Sequence, residues 1–447
     1  RGLEISSLVV WRGFLNQRVS DLNTDARPPT FASAVRRMNS CSAADDFFPK
    51  KDVKMKKTLA AMAVLGAFAG SAFAADVTVY GVVDLGLNYQ HQKVGDADAT
   101  DKLTQYSGQN SGSRFGLKGT EDLGNGMKVG FVLENGFSAD DGKLGQGNRL
   151  FGREANLYVQ SDFGTLSMGR VGALSAGVGS YNVVYGYTAF GTGWGDTVGA
   201  KSLFNLGDRD RMDNTVTYVT PKFGGLTAYA QYSFNADGAE DAQSSLNKRY
   251  AGLGLKYDLG AFSTGLVVDT VMNKGTNANS EDTLGVSWGA SYDFGVAKVF
   301  GFAQYGQNEN KLGGFVGADA WTDSGVGTVT HEEGMKGYAV ALGMSAPVLG
   351  GTVYTQVNYV DGESEGAIAM ERAATDTVGA MKQTRTVEFD RWGLAAAYEY
   401  PLSKRTKVYG FAGYNEGSID STGMNVRTTV TTKTKTAEAG FGLVHKF

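Results

Sequence analysis

The amino-acid sequence predicts an all-β protein, a 16-stranded antiparallel transmembrane β-barrel. Three observations carry this prediction. Apolar and polar residues alternate along most segments, short and long connections alternate between those segments, and the number of strand candidates is even. The composition agrees, because the chain has 63 glycines, 21 tyrosines and 24 phenylalanines but only 6 prolines. Such a composition suits many strands and tight turns.

The first strand candidate shows the alternation most clearly. In "VTVYGVVDLGLNY", Val79, Leu85 and Leu87 share one face, whereas Tyr80 and Asp84 share the other. One face is apolar and the other is mostly polar. Because lipid offers the backbone no hydrogen-bond partner, a sheet that spans a membrane must close into a barrel. Strands of about ten residues are long enough to cross the bilayer.

The connections support the same architecture. Short turns such as "DLGNG" (122–126) and "PLSKR" (401–405) alternate with long polar stretches such as 91–109 and 364–386. A barrel with short turns at one rim and long loops at the other produces this rhythm. The sixteen strand candidates are 77–90, 110–121, 127–137, 148–161, 165–172, 211–220, 226–236, 248–258, 261–270, 282–294, 297–309, 334–347, 351–361, 387–400, 406–416 and 433–447.

The segment "MKKTLAAMAVLGAFAGSAFA", residues 55–74, predicts a secretory signal peptide. Lys56 and Lys57 precede an apolar stretch, and Ala72-Phe73-Ala74 provides a small-residue cleavage site. We interpret residues 1–54 as an upstream, non-native extension and residues 75–447 as the barrel domain. The exported chain is expected to begin at Ala75.

Composition and charge exclude several classes of function. The formal net charge of −4 argues against nucleic acid as a partner. The single cysteine, Cys41, precedes the predicted cleavage site, so no disulfide framework or thiol chemistry is expected. With 3 histidines in the whole chain, no metal site and no cofactor are expected.

Six stretches, in order along residues 75–447, resemble general porins of Gram-negative outer membranes, particularly the neisserial-like branch. They are "VTVYGVVDLGL", "GSRFGLKGTEDLGNGMKVGFVLENGF", "LFGREANLYVQSDFGTLSMGR", "DNTVTYVTPKFGGLTAYAQY", "YEYPLSKRTKVYGFAGYNEG" and "GFGLVHKF". The resemblance implies a passive diffusion channel for small hydrophilic solutes and ions in the cell outer membrane, surrounded by outer-membrane lipid. It also implies a homotrimer, and a third long loop, 173–210, that is folded into the pore as a constriction.

The end of the chain raises a separate question, because a strand-like pattern runs to the last residue. In a closed barrel the last strand must pair with the first, so "FGLVHKF" is expected to pair with "VTVYGVV". The resemblance implies in addition that Phe447 is recognised by the outer-membrane assembly machinery.

The resemblance also indicates which residues line the constriction. Arg114 in "GSRFGLKG" and Arg153 in "FGREA" match wall arginines of the family, and Arg170 in "SMGR" is a third candidate. Lys118 lies four residues after Arg114 and therefore on the same strand face. The loop contributes an acidic candidate, Asp196 in "GWGDT".

The sequence departs from the family at two places. The strand after the loop carries Thr217 where the family often has an arginine, and Arg209 and Arg211 are expected to substitute for it. The first strand has Asp84 in a region where some members carry a lysine. Arginines opposite a carboxylate in a narrow aqueous eyelet set up a transverse field on passing solutes. A weak preference for anions is expected.

Other functions remain as alternatives. The pentad "GVSWG" (285–289) fits the nucleophile elbow of hydrolases, but no helix follows it, so an enzyme using Ser287 is not expected. "GLGLKYDLG" (252–260) has no following helix either, which argues against a phosphate-binding loop. A substrate-selective channel is one alternative. A surface receptor or adhesin that acts through loops 311–333 and 364–386 is another.

Overall fold

The structure is a computed structural model in which part of the chain is described. The described residues are 77–195, 209–243, 247–273, 281–309, 311–312, 316–317, 328–330, 334–369, 382–423 and 426–447. The predicted extension and signal peptide lie outside the described residues, and so does Asp196.

The described residues are mostly strands. In chain order the strands are β1 (Thr78–Val94), β2 (Thr100–Ser107), β3 (Arg114–Gly124), β4 (Met127–Gly136), β5 (Glu154–Ser161), β6 (Gly164–Gly172), β7 (Arg211–Val219), β8 (Leu226–Ser233), β9 (Arg249–Leu259), β10 (Phe262–Met272), β11 (Leu284–Asp293), β12 (Lys298–Glu309), β13 (Lys311–Leu312), β14 (Val316–Gly317), β15 (Thr328–Thr330), β16 (Met335–Val348), β17 (Gly351–Ala369), β18 (Lys382–Pro401), β19 (Thr406–Gly423) and β20 (Val426–Lys446). Short helical turns occur at Gly145–Asn148 and Tyr185–Tyr187. In this part of the chain no helix is long and apolar enough to cross a membrane.

The strands form a closed antiparallel barrel with a wall of sixteen strands. β2 and β3 are two halves of the second wall strand, whereas β13, β14 and β15 lie in the connection between β12 and β16. Residues Val82–Val94 of β1 pair with Thr434–Lys446 of β20. Gly81 and Phe447 then exchange two backbone hydrogen bonds, each 3.1 Å long. The predicted pairing of the last strand with the first is confirmed, but residues 441–447 pair with 81–87 rather than with the predicted 77–83.

The barrel wall has one apolar and one polar face. Leu253, Leu342 and Phe441 project outward and are 66%, 64% and 61% exposed. On the other face, Asp84 and Glu438 are 0% and 3% exposed. Large apolar side chains with no protein cover suit a hydrocarbon environment, and polar side chains suit the lumen. The alternation predicted for the first strand is confirmed, because Asp84 lies on the lumen face and Leu87 on the outer face.

The predicted strand boundaries were wrong in four regions. The stretch 91–109 was predicted as a loop but contains β2. β17, β18, β19 and β20 extend into the predicted loops 364–386 and 417–432. These extensions are rich in threonine and serine, so they lack the continuous apolar face on which the prediction relied. Antiparallel pairing of the backbone needs no such face. In contrast to these strands, which are longer than predicted, β5 is shorter, because it begins at Glu154 rather than at 148.

The apolar core lies inside the barrel, between the wall and the described part of the loop after β6. Val183 and Tyr187 of this loop fit against glycines on the lumen face of β9, β10 and β11. A Cβ atom added at Gly265 would lie 2.8 Å from the Tyr187 ring, and one added at Gly289 would lie 2.6 Å from the Tyr187 Cβ. Glycine in the wall therefore makes room for the loop.

Trp194 is the last residue but one of the described part of this loop and is 4% exposed. Its ring meets Tyr409 and Phe411 of β19 edge-on, with centroids 5.7 and 6.2 Å apart, and Tyr354 of β17 lies 5.5 Å away. Aromatic pairs of this geometry stabilise beyond the area they bury. These contacts hold the end of the described part of the loop against β17 and β19.

Candidate pore-lining site

Two of the predicted wall arginines share one carboxylate. Arg153 Nε lies 2.6 Å from Glu134 Oε1, and Arg114 Nε lies 3.5 Å from Glu134 Oε2. Tyr80 donates its hydroxyl hydrogen bond to Oε2 at 3.0 Å. The β3–β4 hairpin places Glu134 opposite Gly116, two residues from Arg114, on the lumen face. Arg114 and Arg153 keep 24% and 18% of their side chains exposed.

Arg170 and Arg211 are linked to this pair. Arg211 donates through Nε to the Arg153 carbonyl at 3.0 Å, and Arg170 Nη1 contacts the Arg211 carbonyl at 3.4 Å. Arg170 also lies 2.6 Å from Asp213. The structure thus brings four of the predicted residues, Arg114, Arg153, Arg170 and Arg211, into one connected set.

Arg149 joins the set through Asp213, at 2.7 Å. We call the five arginines 114, 149, 153, 170 and 211 the arginine array. Within the described residues, the carboxylates that form ion pairs with the array are Glu134, Asp210 and Asp213. The five arginines outnumber these three carboxylates, so the array keeps an excess of positive charge.

Sequence reasoning missed the acidic partners of the array. A signal for Glu134 was present, because the turn "DLGNG" sets the register of the β3–β4 hairpin and alternation then places Glu134 on the face of Arg114. Asp213 offered no such signal. The pairing of β6 with β7 shifts register between Gly169 and Val171, so alternation along these strands does not predict which side chains meet.

Lys118 and Arg209 lie apart from the array. Lys118 is exposed, and its Nζ lies 5.4 Å from the centre of the Tyr80 ring. Arg209 has only 1% of its side chain exposed, and it lies 2.6 Å from both Asp269 and Glu309. Burial disfavours its charge, but the two carboxylates outweigh that effect and raise the pKa of Arg209. Its guanidinium is therefore charged and sequestered from the lumen solution.

The buried Arg209 network holds both ends of the loop. Arg209 precedes β7, and Ser175 follows β6; Ser175 Oγ donates to Asp269 Oδ2 at 2.5 Å. Tyr250 donates to the same oxygen at 3.0 Å, and its oxygen accepts the Leu174 N–H at 3.3 Å. Sequence reasoning missed Asp269, although a lone carboxylate in the apolar run "LVVDTVM" is a signal that a buried partner exists.

The candidate nucleophile lies in an unsuitable setting. Ser287 is in the middle of β11, is 1% exposed, and accepts a hydrogen bond from Gln304 Nε2 at 2.7 Å. The nucleophile elbow needs a strand–turn–helix context, which β11 does not provide. Within the described residues, no group of three or more His, Cys, Asp or Glu side chains is arranged to hold a metal ion.

A closed sixteen-stranded barrel with an apolar outer face and a charged lumen defines a channel of a bacterial outer membrane. The comparisons with known proteins agree. A family model described as Gram-negative porin matches residues 60–420, and the chain belongs to this family. It is a passive diffusion channel of the cell outer membrane.

Three known proteins illustrate the similarity. The chain is 32% identical over 403 residues to an outer membrane porin protein of Bordetella pertussis, and the match covers 80% of this chain and 94% of that one. It is 29% identical over 373 residues to Outer membrane porin protein 32 of Delftia acidovorans, covering 82% and 92% of the two chains. The solved anion-selective porin from Comamonas acidovorans matches with a TM-score of 0.58 and 25% identity, over 83% of this chain and 100% of that one.

Proposed function

We propose that this porin prefers anions weakly and that the arginine array sets the preference. The observation that carries the proposal is the connection of Arg114, Arg153, Arg170 and Arg211 through shared carboxylates and carbonyls. Fixed positive charge beside a narrow aqueous passage attracts anions and repels cations. The similarity to an anion-selective porin at 25% identity supports the same preference.

The loop 173–210 is proposed as the constriction. Its described part supports this role, because residues 173–195 lie against the lumen face and are held by Asp269 at the loop base and by the aromatic contacts of Trp194. Asp196 is proposed to face the array, so that a solute passes between opposite charges.

Three further features are proposed, with the family resemblance as their support. The protein is proposed to act as a homotrimer in outer-membrane lipid, with residues 55–74 removed on export. Phe447 is proposed as the residue that the assembly machinery recognises; its pairing with Gly81 leaves the ring 49% exposed at the barrel rim. No catalysed reaction is proposed, and the burial of Ser287 supports that view.

The test is the current through the purified protein in a planar lipid bilayer under a salt gradient. The sign of the reversal potential is expected to show a preference for anions. Arg153→Gln should shift the reversal potential toward cations, whereas Arg405→Gln, at an exposed position in a short turn, serves as the matched control and should leave it unchanged. A cation-preferring parent channel, or equal effects of the two variants, would overturn the proposal. A correctly inserted but silent barrel would favour the receptor alternative.

A further inference from the structure

We infer that a ring of apolar side chains on the seven short turns lies in the phospholipid of the periplasmic leaflet. All seven turns belong to the described residues, and each has a large apolar side chain in it or directly beside it. Short turns face the periplasm in barrels of this kind. We call the seven side chains the rim ring. They are Leu349, which is 90% exposed, and Leu123, Phe163, Phe223, Leu259, Phe294 and Leu402, which are 50% to 83% exposed.

The opposite rim of the barrel has a different chemistry. The described tips of two long connections are "GDADA" (95–99) and "ADDGK" (139–143), which are small, polar and charged. Single exposed apolar residues are normal on a protein surface, but one at every turn of a single rim is a continuous feature. The two rims therefore suit different surroundings.

The height of the apolar wall places the rim ring at the lower boundary of the membrane. On the outer face of β16, Lys336 pairs with Glu363 at 2.7 Å, so charged residues begin at this level. Tyr338 follows, and Val348 ends the strand ten residues after Tyr338. At about 3.4 Å per residue and a tilt of about 40°, ten residues cover about 26 Å of height. The apolar band of such barrels is about 25 Å tall, so it ends at the turn that carries Leu349.

A second strand gives the same distance. On β18 the exposed Trp392 follows Asp390 by two residues, and its ring lies 5.5 Å from that of Tyr414. Leu402 lies ten residues after Trp392, in the turn that follows β18. On both strands the apolar band therefore extends down to the turn itself.

The rim ring continues the outer face of the wall. Leu259 lies on the same face of β9 as the outward Leu253, because an even number of residues separates them. The Phe294 ring lies 4.6 Å from that of the exposed Tyr292. Lipid that covers the outer face can therefore cover the rim ring without a gap.

The backbones of these turns have partners within the protein. The Tyr218 hydroxyl donates to the Phe163 carbonyl at 2.5 Å, and Ser161 Oγ accepts the Phe163 N–H at 3.2 Å. The Tyr398 hydroxyl donates to the Leu349 carbonyl at 3.2 Å. Lipid offers the backbone no hydrogen-bond partner, so a turn at the lipid boundary needs internal partners of this kind.

The circular arrangement of the rim ring favours lipid over a soluble protein as its occupant. Lipid surrounds the mouth of the barrel and leaves the passage open, whereas one protein that covered all seven turns would close it. The β18–β19 turn also carries the exposed Lys404 and Arg405 beside Leu402, and such cations suit the phosphates of lipid headgroups. The passage therefore opens at the headgroup level of the periplasmic leaflet.

This inference rests on the barrel as a membrane protein, and it does not depend on the anion preference of the array. The test introduces Leu349→Cys or Phe163→Cys into the full chain in a Cys41→Ser background, which leaves one cysteine for a nitroxide spin label. The labelled protein is folded into vesicles of phosphatidylethanolamine and phosphatidylglycerol. Collisions of the label are then measured with oxygen, which concentrates in lipid, and with a water-soluble nickel chelate.

Two further labels calibrate the measurement. Leu342→Cys, on the outer face of β16, gives the oxygen-to-nickel ratio for lipid, and Asp98→Cys, at the tip of a long connection, gives the ratio for water. We expect the ratios at positions 349 and 163 to exceed the Asp98→Cys value several-fold. Ratios equal to the Asp98→Cys value would overturn the inference and would leave the rim ring as a surface for a soluble partner.

A tryptophan at the rim provides a second measurement without a label. In Phe163→Trp, brominated phospholipid should quench the added fluorescence, relative to the parent protein, more strongly than aqueous iodide does. Stronger quenching by iodide would contradict the inference. Failure of the Arg153→Gln test would leave these results unaffected, because the reversal potential reports on the lumen and the quenchers report on the rim.

Discussion

Arg153 and Glu134 form an ion pair 2.6 Å long on the lumen face, and the same carboxylate contacts Arg114 at 3.5 Å. One acid thus offsets part of the charge of two arginines. Both arginines remain partly exposed, so their residual field reaches the lumen. The field that a passing ion meets depends on this acid as much as on the arginines.

Replacement of the shared carboxylate should strengthen the preference for anions. One unit charge about 7 Å from an ion in water contributes roughly 0.6 kcal/mol, with opposite signs for an anion and a cation. Glu134→Gln should therefore raise the anion-to-cation permeability ratio by up to about 7-fold. The measurement is the reversal potential in a salt gradient. Glu121→Gln, at the exposed end of β3, is the control. An unchanged ratio in Glu134→Gln would show that Glu134 does not act on the permeating ion.

The buried network around Arg209 should matter for stability and for the loop together. Asp269→Ala removes one partner of a guanidinium that is 1% exposed, and such a loss costs about 3–5 kcal/mol. It also removes the common acceptor of Ser175 and Tyr250. We expect a lower free energy of unfolding in urea and noisier open-channel current.

Asp258→Ala is the control for the Asp269 variant. Asp258 pairs with Lys222 at 2.9 Å beside a short turn, where both side chains are at least 35% exposed. Exposed pairs of this kind contribute about 0–1 kcal/mol. Equal losses of stability in the two variants would contradict the anchoring role of Asp269.

Glycine in the wall should control the position of the loop. Gly289→Leu would collide with Tyr187, and overpacking of this kind costs about 1–3 kcal/mol. The strain is relieved if the loop moves away from the wall and into the passage, so the single-channel conductance should fall. Gly301→Leu, where an added Cβ meets only Leu342 at 3.8 Å, is the control. A conductance equal to that of the parent channel in both variants would show that the wall glycines do not position the loop.

The last residue should affect assembly rather than conduction. Phe447→Ala should lower the amount of folded protein in the outer membrane, because the proposed recognition signal is lost. Protein refolded in detergent should still conduct, since Gly81 and residue 447 pair through their backbones. Phe441→Ala, 61% exposed on the same strand, is the control. Normal outer-membrane yield of Phe447→Ala would contradict the proposal.

Much of the barrel could be predicted from the sequence, because alternation is a direct consequence of a wall with one apolar and one polar face. The sixteen wall strands and the closure by "FGLVHKF" follow from it. The turn at Gly108–Ser113, between β2 and β3, could not be predicted this way, and residues 110–113 were wrongly expected to begin a strand. Asp84 was noted as a departure from the family, and the structure adds the reason: this carboxylate binds the backbone of the turn.

The site was predictable only in part. The order of the strands was enough to predict that Arg114 and Arg153 lie near each other, because two consecutive hairpins connect β3, β4 and β5. The surroundings of Arg209 were not accessible, since its partners Asp269 and Glu309 come from distant strands whose loops have no regular register. The residues next to Arg209 in the sequence do not indicate which distant carboxylates contact it.

Closure of the barrel has a consequence for the order of folding. Asn88 and Glu438, which are 350 positions apart, hydrogen-bond at 2.6 Å, and Asp84 meets Tyr409 across 325 positions. Hairpins between successive strands form from local contacts, whereas pairings this distant carry the largest loop-closure cost and slow folding. The pairing of β1 with β20, which closes the wall, therefore also completes the contacts of the turn at Gly108–Ser113. Before β1 pairs with β20, the barrel wall is open and the pore is incomplete. Leakage through the open wall and misassembly of the chain are therefore expected to end in the same late step.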